Sequence, residues 1–404
     1  MANQCKYYKV VRQVSYDSGV TWVNIGETQK GDLYEYDSAE CGAVTQYRWV
    51  DVTGAYTCEG TTKYQKTKKQ YSTDGTTWQD VSPAEYGKGN VIEYQSSYCG
   101  YVPPAPASGS YLTFVAIDDG RFKLSNNSVK YSLDEGSTWS TLASNTYSPT
   151  VYTGQKIMWK GELTSIVAGG VGQFSSTGKF NIEGNIMSLL FEDNYENQTD
   201  LTGYNYAFAY IFKETSVVSA GELYLPATTL EDSCYCGMFR SCTSLTTAPE
   251  LPATTMVNQC YMGMFDGCSS LATAPELPAT TLAYGCYSNM FKGCTSLTTA
   301  PSLPATTLAE WCYYVMFDGC SSLTTAPELP ATTLVRMCYY NMFSNCTSLN
   351  YIKCLATSIP SGEGCTLAWT YNVASSGTFV KASSMNSWTR GEDGIPTNWT
   401  IQNA

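Results

Sequence analysis

Histidine is absent from all 404 residues. Ser-His-Asp catalysis, Cys-His catalysis and the H-E-x-x-H zinc motif are excluded with it, because each needs an imidazole as base or ligand. Charge is scarce: 14% of residues are charged, and 35 acidic against 23 basic side chains leave a net charge of −12. Such a chain lacks the basic surface that neutralises phosphates or anionic lipid, so nucleic acid is not an expected partner. Long apolar runs are missing too. "AFAYIF" is among the longest, far short of a membrane span of about 20 residues. The start, "MANQCKYYKVVRQV", has no apolar h-region, and Cys5 lacks the apolar stretch that precedes a lipid-modified cysteine. The expectation is therefore no export by the usual signal and no membrane insertion. "AGGVGQF" is glycine-rich but no helix pattern follows it, so it reads as a turn rather than a phosphate loop.

What is present is tyrosine, 32 copies among many Ser, Thr, Gly and Asn. Surfaces that bind through rigid aromatics and adaptable hydrogen bonds have this composition, and so do β-rich folds. The length predicts two or more modules. Its plainest feature is a repeat: Leu225, Leu251, Leu277, Leu303 and Leu329 each open Leu-Pro-Ala-Thr-Thr, a period of 26 residues. Self-similarity at this interval marks a stack whose units cannot bury their apolar faces alone. Within a unit, "TSLTTAPEL" reads as a short strand. Leu230, Cys234, Met238 and Cys242, four apart, predict a short helix with one buried face, widened by Tyr235 and Phe239. Thr228 or Thr229 is placed as its N-cap, with Thr228-x-x-Glu231 as a capping box.

The pattern L-P-A-T-T-L-x-x-x-C-Y-x-x-M-F-x-x-C-[TS]-S-L resembles the BspA-type leucine-rich repeats of gut bacteria and their phages. The degenerate unit "YAFAYIFKETSVVSAGELYLP" extends it, and "GTFVKASSMNSWTRGEDGIPTNWTIQNA" resembles the segment that closes such arrays. The resemblance implies a mainly β fold with a solenoid of one strand and one short helix per repeat. It also implies surface or virion molecules that bind host cells.

Earlier in the chain, Asp17-Ser18-Gly19-Val20-Thr21-Trp22, Asp74-Gly75-Thr76-Thr77-Trp78 (one residue short) and Asp134-Glu135-Gly136-Ser137-Thr138-Trp139 carry a pattern that resembles the Asp-box of sialidases. Asp17, Asp74 and Asp134 would accept turn amides, Gly19, Gly75 and Gly136 take a positive φ, and Trp22, Trp78 and Trp139 pack across a hairpin, all structural roles. The first two boxes lie in a tandem duplication, bracketed by Cys5 and Cys41 and by Cys58 and Cys99. Each pair could be a disulfide, half a metal site or buried thiols, with zinc the least expected. The expected organisation is β modules at 1–50 and 51–102, a Pro/Ala/Ser linker at 103–110, an antiparallel β domain at 111–200 with Asp119-Gly120 as a hairpin turn, an opening cap at 201–224, repeats at 225–354 and a closing cap at 355–404.

Cys234 and Cys242, eight apart on a helix, would lie about 12 Å apart, beyond disulfide reach. Equivalent cysteines would stack between units as buried thiols. Glu250, Glu276 and Glu328 recur after Ala-Pro; they could approach a retaining-glycosidase spacing or form a solvated row, and no shaped pocket is implied. Between units the variation falls on one stripe, and Tyr284, Trp311, Tyr314, Arg336 and Tyr340 are its candidate ligand anchors. Drift at solvent positions would produce the same variation. The expectation is a non-enzymatic phage virion appendage, a tail or head fibre or decoration protein. It would need no cofactor or metal, bind a host-surface glycan or protein and other virion proteins, and form a homo-oligomer, for which fibres offer the trimer as a form. The runner-up is a bacterial surface adhesin, and a sialidase-like hydrolase is the remote third.

Overall fold

The computed structural model describes residues 110–404, apart from 165–171 and 387, and the strands of the front part. The protein is mainly β, with one short α-helix among the described residues. It divides into two compact units, Met1–Pro103 and Pro104–Ala404.

The first unit contains β1 (Lys6–Val10), β2 (Gln13–Val14), β3 (Val23–Asn24), β4 (Gln29–Glu35), β5 (Gln46–Glu59), β6 (Thr62–Ser72), β7 (Gln79–Asp80) and β8 (Tyr86–Glu93). β1 pairs with β4 and β2 with β3, while β6 is flanked by β5 and pairs with both β7 and β8, all antiparallel. β5 runs through residue 50, where the sequence suggested a module boundary. The expected linker lies outside the described residues except for Ser110.

The second unit opens with β9 (Leu112–Ala116), β10 (Phe122–Leu124), β11 (Val129–Ser132), β12 (Ser140–Leu142), β13 (Lys156–Lys160), β14 (Phe174–Ser176), β15 (Phe180–Asn185), helix α1 (Ser188–Phe191) and β16 (Val217–Tyr224). The main sheet has the order β12-β11-β13-β9-β15-β16, and β10 pairs with β14 apart from it. Asp119-Gly120 is therefore not a hairpin turn, because β9 and β10 belong to different sheets. Gly120 instead bridges to Val151, and Asp119 Oδ1 accepts the Thr153 amide at 2.8 Å. Alternation along β9 and β15 buries Phe114, Phe180 and Ile182. Phe114 is the hub, with ring centroids of Phe122, Phe174 and Phe180 at 5.1, 4.9 and 4.8 Å. Such aromatic pairs contribute about 0.5–1.5 kcal/mol each beyond their buried area. The last pairing of this sheet, β15 with β16, is parallel and carries it past residue 200.

From here the repeats follow, and the predicted helix is absent. Residues 232–241 form a chain of turns, and neither Thr228 nor Thr229 caps anything helical. Glu231, the expected capping-box partner, instead accepts the Gly203 amide. The backbone alternates. The amides of Cys234, Cys236, Met238 and Arg240 bond three residues back, while those of Tyr235, Gly237, Phe239 and Ser241 reach Cys260, Met262, Met264 and Asp266 in the next unit. Ser233, Gly237 and Ser241 have φ near +58°, a left-handed residue every fourth position. This explains the strict spacing of four. On an α-helix of 3.6 residues per turn a four-residue step drifts by about 40°, whereas a turn that repeats every four residues keeps Cys234, Met238 and Cys242 in line. Half of these amides find partners only in a neighbour, so no unit is complete alone.

Identical side chains stack as a result. Tyr235, Tyr261, Tyr287, Tyr313 and Tyr339 form one column with centroids 5.6–6.1 Å apart. Phe239, Phe265, Phe291, Phe317 and Phe343 form another at 5.6–5.8 Å. The cysteines from Cys234 to Cys365 are buried free thiols. Cys268, Cys294, Cys320 and Cys346 each donate Sγ–H to the carbonyl of a phenylalanine one unit earlier, at 3.0–3.2 Å. The Phe column continues through Phe212 to Phe174, so one apolar core runs from the β domain into the repeats. At the far end Trp369 meets both columns, stacking on Tyr339 at 6.1 Å and lying 6.3 Å from Phe343. Trp388 covers it at 5.4 Å. Strands β17 (Tyr351–Cys354), β18 (Thr378–Lys381) and β19 (Thr400–Asn403) close the chain as a parallel sheet.

Candidate functional site

The turn segments present one face to solvent, and the variable stripe lies on it. Because each unit is offset from the next by one set of cross-unit hydrogen bonds, residues 26 apart stand in columns. Tyr284 is 44% exposed, Arg336 is exposed, and Trp311, Tyr314 and Tyr340 are half-buried. Four of the five meet. Trp311 lies 6.2 Å from Tyr284 and 4.5 Å from Tyr314, and Tyr314 stacks on Tyr340 at 4.8 Å with ring planes 12° apart. Arg336 stands one residue before Met337 on the same rung as Tyr340, and its carbonyl accepts the Trp311 amide at 3.1 Å. No ring contact joins it to the cluster. Burial pushes the Tyr314 hydroxyl above its ordinary range, with the neighbouring Tyr340 adding to the effect. Trp311 Nε1 is buried with no partner. The four rings form one contiguous strip across three units.

The backbone beneath the strip separates it from its neighbours. At the left-handed positions the three preceding units place Ser233, Gly237 and Ser241, then Gln259, Gly263 and Gly267, then Gly285, Asn289 and Gly293. The next two units place Trp311 (φ 62°), Val315 (φ 58°) and Gly319, then Met337 (φ 51°), Asn341 and Asn345 there. An L-residue in this region costs about 1–2 kcal/mol, and a β-branched one is a genuine outlier. Bulky side chains recur at such positions only in the first unit of the array, where Tyr206 and Tyr210 adjoin the β domain. Sequence comparison of the units missed one member of the face: Leu367, 44% exposed, follows Tyr340 in its column, as the Asn341 amide bonded to the Leu367 carbonyl shows.

The turn boxes behave differently. Asp134 accepts the Thr138 amide and hydroxyl at 2.9 and 2.6 Å and the Ser132 hydroxyl at 2.7 Å. The Thr138 and Ser132 hydroxyls hold its carboxyl down at about 2. Gly136 has φ 87°, and its carbonyl accepts Trp139 Nε1 at 3.0 Å. The Trp139 ring also lies under Lys160 Nζ at 4.5 Å, and Lys160 bonds Asp193 at 2.6 Å. Every bond of the box is spent within the hairpin β11–β12 and its surroundings. Asp17, Gly19, Trp22, Asp74, Gly75 and Trp78 lie outside the described residues. Of the acid row, Glu328 is paired with Lys353 at 3.0 Å, and partial burial pushes Glu250 upward.

Among the described residues no cluster of acids and thiols is arranged to hold a metal ion, and no helix is long and apolar enough to cross a membrane. Comparison with protein-family models, curated proteins and solved structures finds no match for this chain.

Proposed function

We propose that the protein is a non-enzymatic phage virion appendage, a fibre or decoration protein, whose repeats form a BspA-type leucine-rich solenoid that binds a host-surface glycan or protein. The strip of Tyr284, Trp311, Tyr314 and Tyr340, flanked by Arg336, is its contact surface. One observation carries this reading: large side chains occupy left-handed backbone positions at Trp311 and, next in its column, Met337, where the three units before them hold Ser, Gln and Gly. Drift at solvent positions has no reason to accumulate a conformational cost in neighbouring units, whereas a recognition surface does. Rigid aromatics that carry hydroxyls, with a guanidinium nearby, are the residue types that dominate binding surfaces. The core behind the strip, fixed by the Tyr and Phe columns, holds it in place.

Electron microscopy with an antibody to the repeats tests the assignment. Label on virion projections supports the appendage. Label on intact gut bacterial cells and not on virions identifies a bacterial surface adhesin of the same architecture.

A further inference from the structure

The same turn face carries a second feature, one rung before Tyr284 and two before Trp311. Gly237 and Gly263 occupy successive left-handed positions in one column. Tyr210 lies over the first, since a Cβ on Gly237 would fall 2.3 Å from its ring. Gly263 is uncovered: a Cβ there meets nothing nearer than Asp266 Cβ at 3.7 Å. The result is a pocket of about 160 Å³ with Gly263 as its floor, Tyr210 and Asn289 at its ends, and Arg240, Asp266 and Lys292 along its side. Arg240 Nε bonds Asp266 at 3.0 Å. Asp266 is the less exposed of that pair, so two exposed cations flank one half-buried carboxylate. Asp318 follows Lys292 in the same column, so cations and acids alternate along it, and Arg240 and Lys292 are the basic groups at the pocket.

The pocket is smaller than the roughly 300 Å³ at which whole small-molecule sites begin, so it suits one charged group of a longer ligand. Its rim leads along the column Met262, Ser288, Tyr314 and Tyr340 into the strip. At about 4.8 Å per rung, the floor lies about 10 Å from Trp311 along the array. Taking the strip as the contact surface, we infer that the pocket over Gly263 seats the carboxylate of an acidic glycan, a uronic or sialic acid residue, with Lys292 and Arg240 as its cations and the rest of the chain running over Ser288 to the tyrosines. Asn289 and the two tyrosines offer polar groups that match sugar hydroxyls, while Ser288 lies buried beneath them with its hydroxyl bonded to Asn289 Nδ2 and the Tyr314 carbonyl.

The test is calorimetric binding of a tetrasaccharide of alternating glucuronic acid and N-acetylglucosamine to the full chain, beside its carboxyl-reduced counterpart and an oligoglutamate peptide. The acid form should bind and weaken with added salt, while the other two should not bind. Lys292→Gln should reduce affinity about tenfold, the worth of one charge-assisted hydrogen bond. Gly263→Asn should do the same by filling the floor. Its fold is safeguarded because Asn289 and Asn341 already hold that column position with positive φ, and an unchanged Tm checks this. No binding of the acid form, equal binding of the reduced form or the peptide, or indifference to Lys292→Gln overturns the inference. If cells are bound with full affinity by both pocket variants but lost by Trp311→Gly, the pocket assignment fails while the strip stands. If Trp311→Gly also leaves cell binding intact, the strip fails as well.

Discussion

Trp369→Ala should unravel the array from its closing end. The side chain is fully buried, stacks on Tyr339 and Trp388, and donates Nε1–H to the Gly394 carbonyl at 2.8 Å. Truncating a buried Trp costs about 3–5 kcal/mol. The Gly394 carbonyl keeps a second donor in the Thr370 hydroxyl at 3.3 Å, so the orphaned-acceptor penalty is small and about 4 kcal/mol is expected. In a stack whose rungs contact only their neighbours, such a loss is local. Urea unfolding followed by hydrogen exchange should show residues 339–403 losing protection while β9, β13 and β15 keep theirs. Trp369→Phe, which retains a ring but not the N–H, should lose less than half as much. Uniform loss of protection over residues 110–404, or a cost below about 1 kcal/mol, would refute the picture of aromatic columns closed by one indole.

The thirteen cysteines between 234 and 365 are buried; desolvation pushes Cys234, for example, up to about 12, while the hydrogen bond with Cys338 lowers Cys365. None should react with an aromatic disulfide reagent in the native protein, and all should react after denaturation. Cys320→Ala should cost about 1–2 kcal/mol in chemical denaturation. It removes the Sγ–H bond to the Phe291 carbonyl but leaves the Cys294 amide on the same oxygen. Asp134 sits below its ordinary value of 3.8, at about 2. It therefore stabilises the fold above the unfolded value, and that contribution is lost as pH falls from about 4 toward 2. Thermal melts should show a steeper acid decline in the wild type than in Asp134→Asn across this window.

The repeat register and its core could be read from the chain, because Cys, Tyr, Met and Phe recur every 26 residues and those of each unit, such as Cys286, Tyr287, Met290 and Phe291, are buried. The strip was legible by subtraction, since Tyr284, Trp311, Tyr314 and Tyr340 depart from what sister units hold. The helix was misread because a spacing of four approximates the helical period over three steps. The distinguishing signal lay in the residues between, where Gly263 and Gly267, then Gly285, Asn289 and Gly293, and then Asn341 and Asn345 fall at the same four-residue interval and mark left-handed turns rather than helix interior. The pocket over Gly263 escaped notice for a related reason: a glycine reads as a turn until its column shows Tyr210 covering Gly237 on one side and Asn289 carrying a side chain on the other. The parallel pairing of β15 with β16 has no local signature, since it joins segments some forty residues apart.

The most direct test of the binding surface is adsorption of the purified full chain to intact gut bacterial cells, wild type against the double variant Trp311→Gly and Tyr314→Ser. Gly285 and Gly364 already stand at the first position with positive φ, and Ser288 at the second, so the variant uses only residues the array accepts elsewhere. Removing two central aromatics should lower binding at least tenfold, with Tm held within a few degrees. Undiminished binding by a folded double variant would contradict the assignment of the strip as the recognition surface.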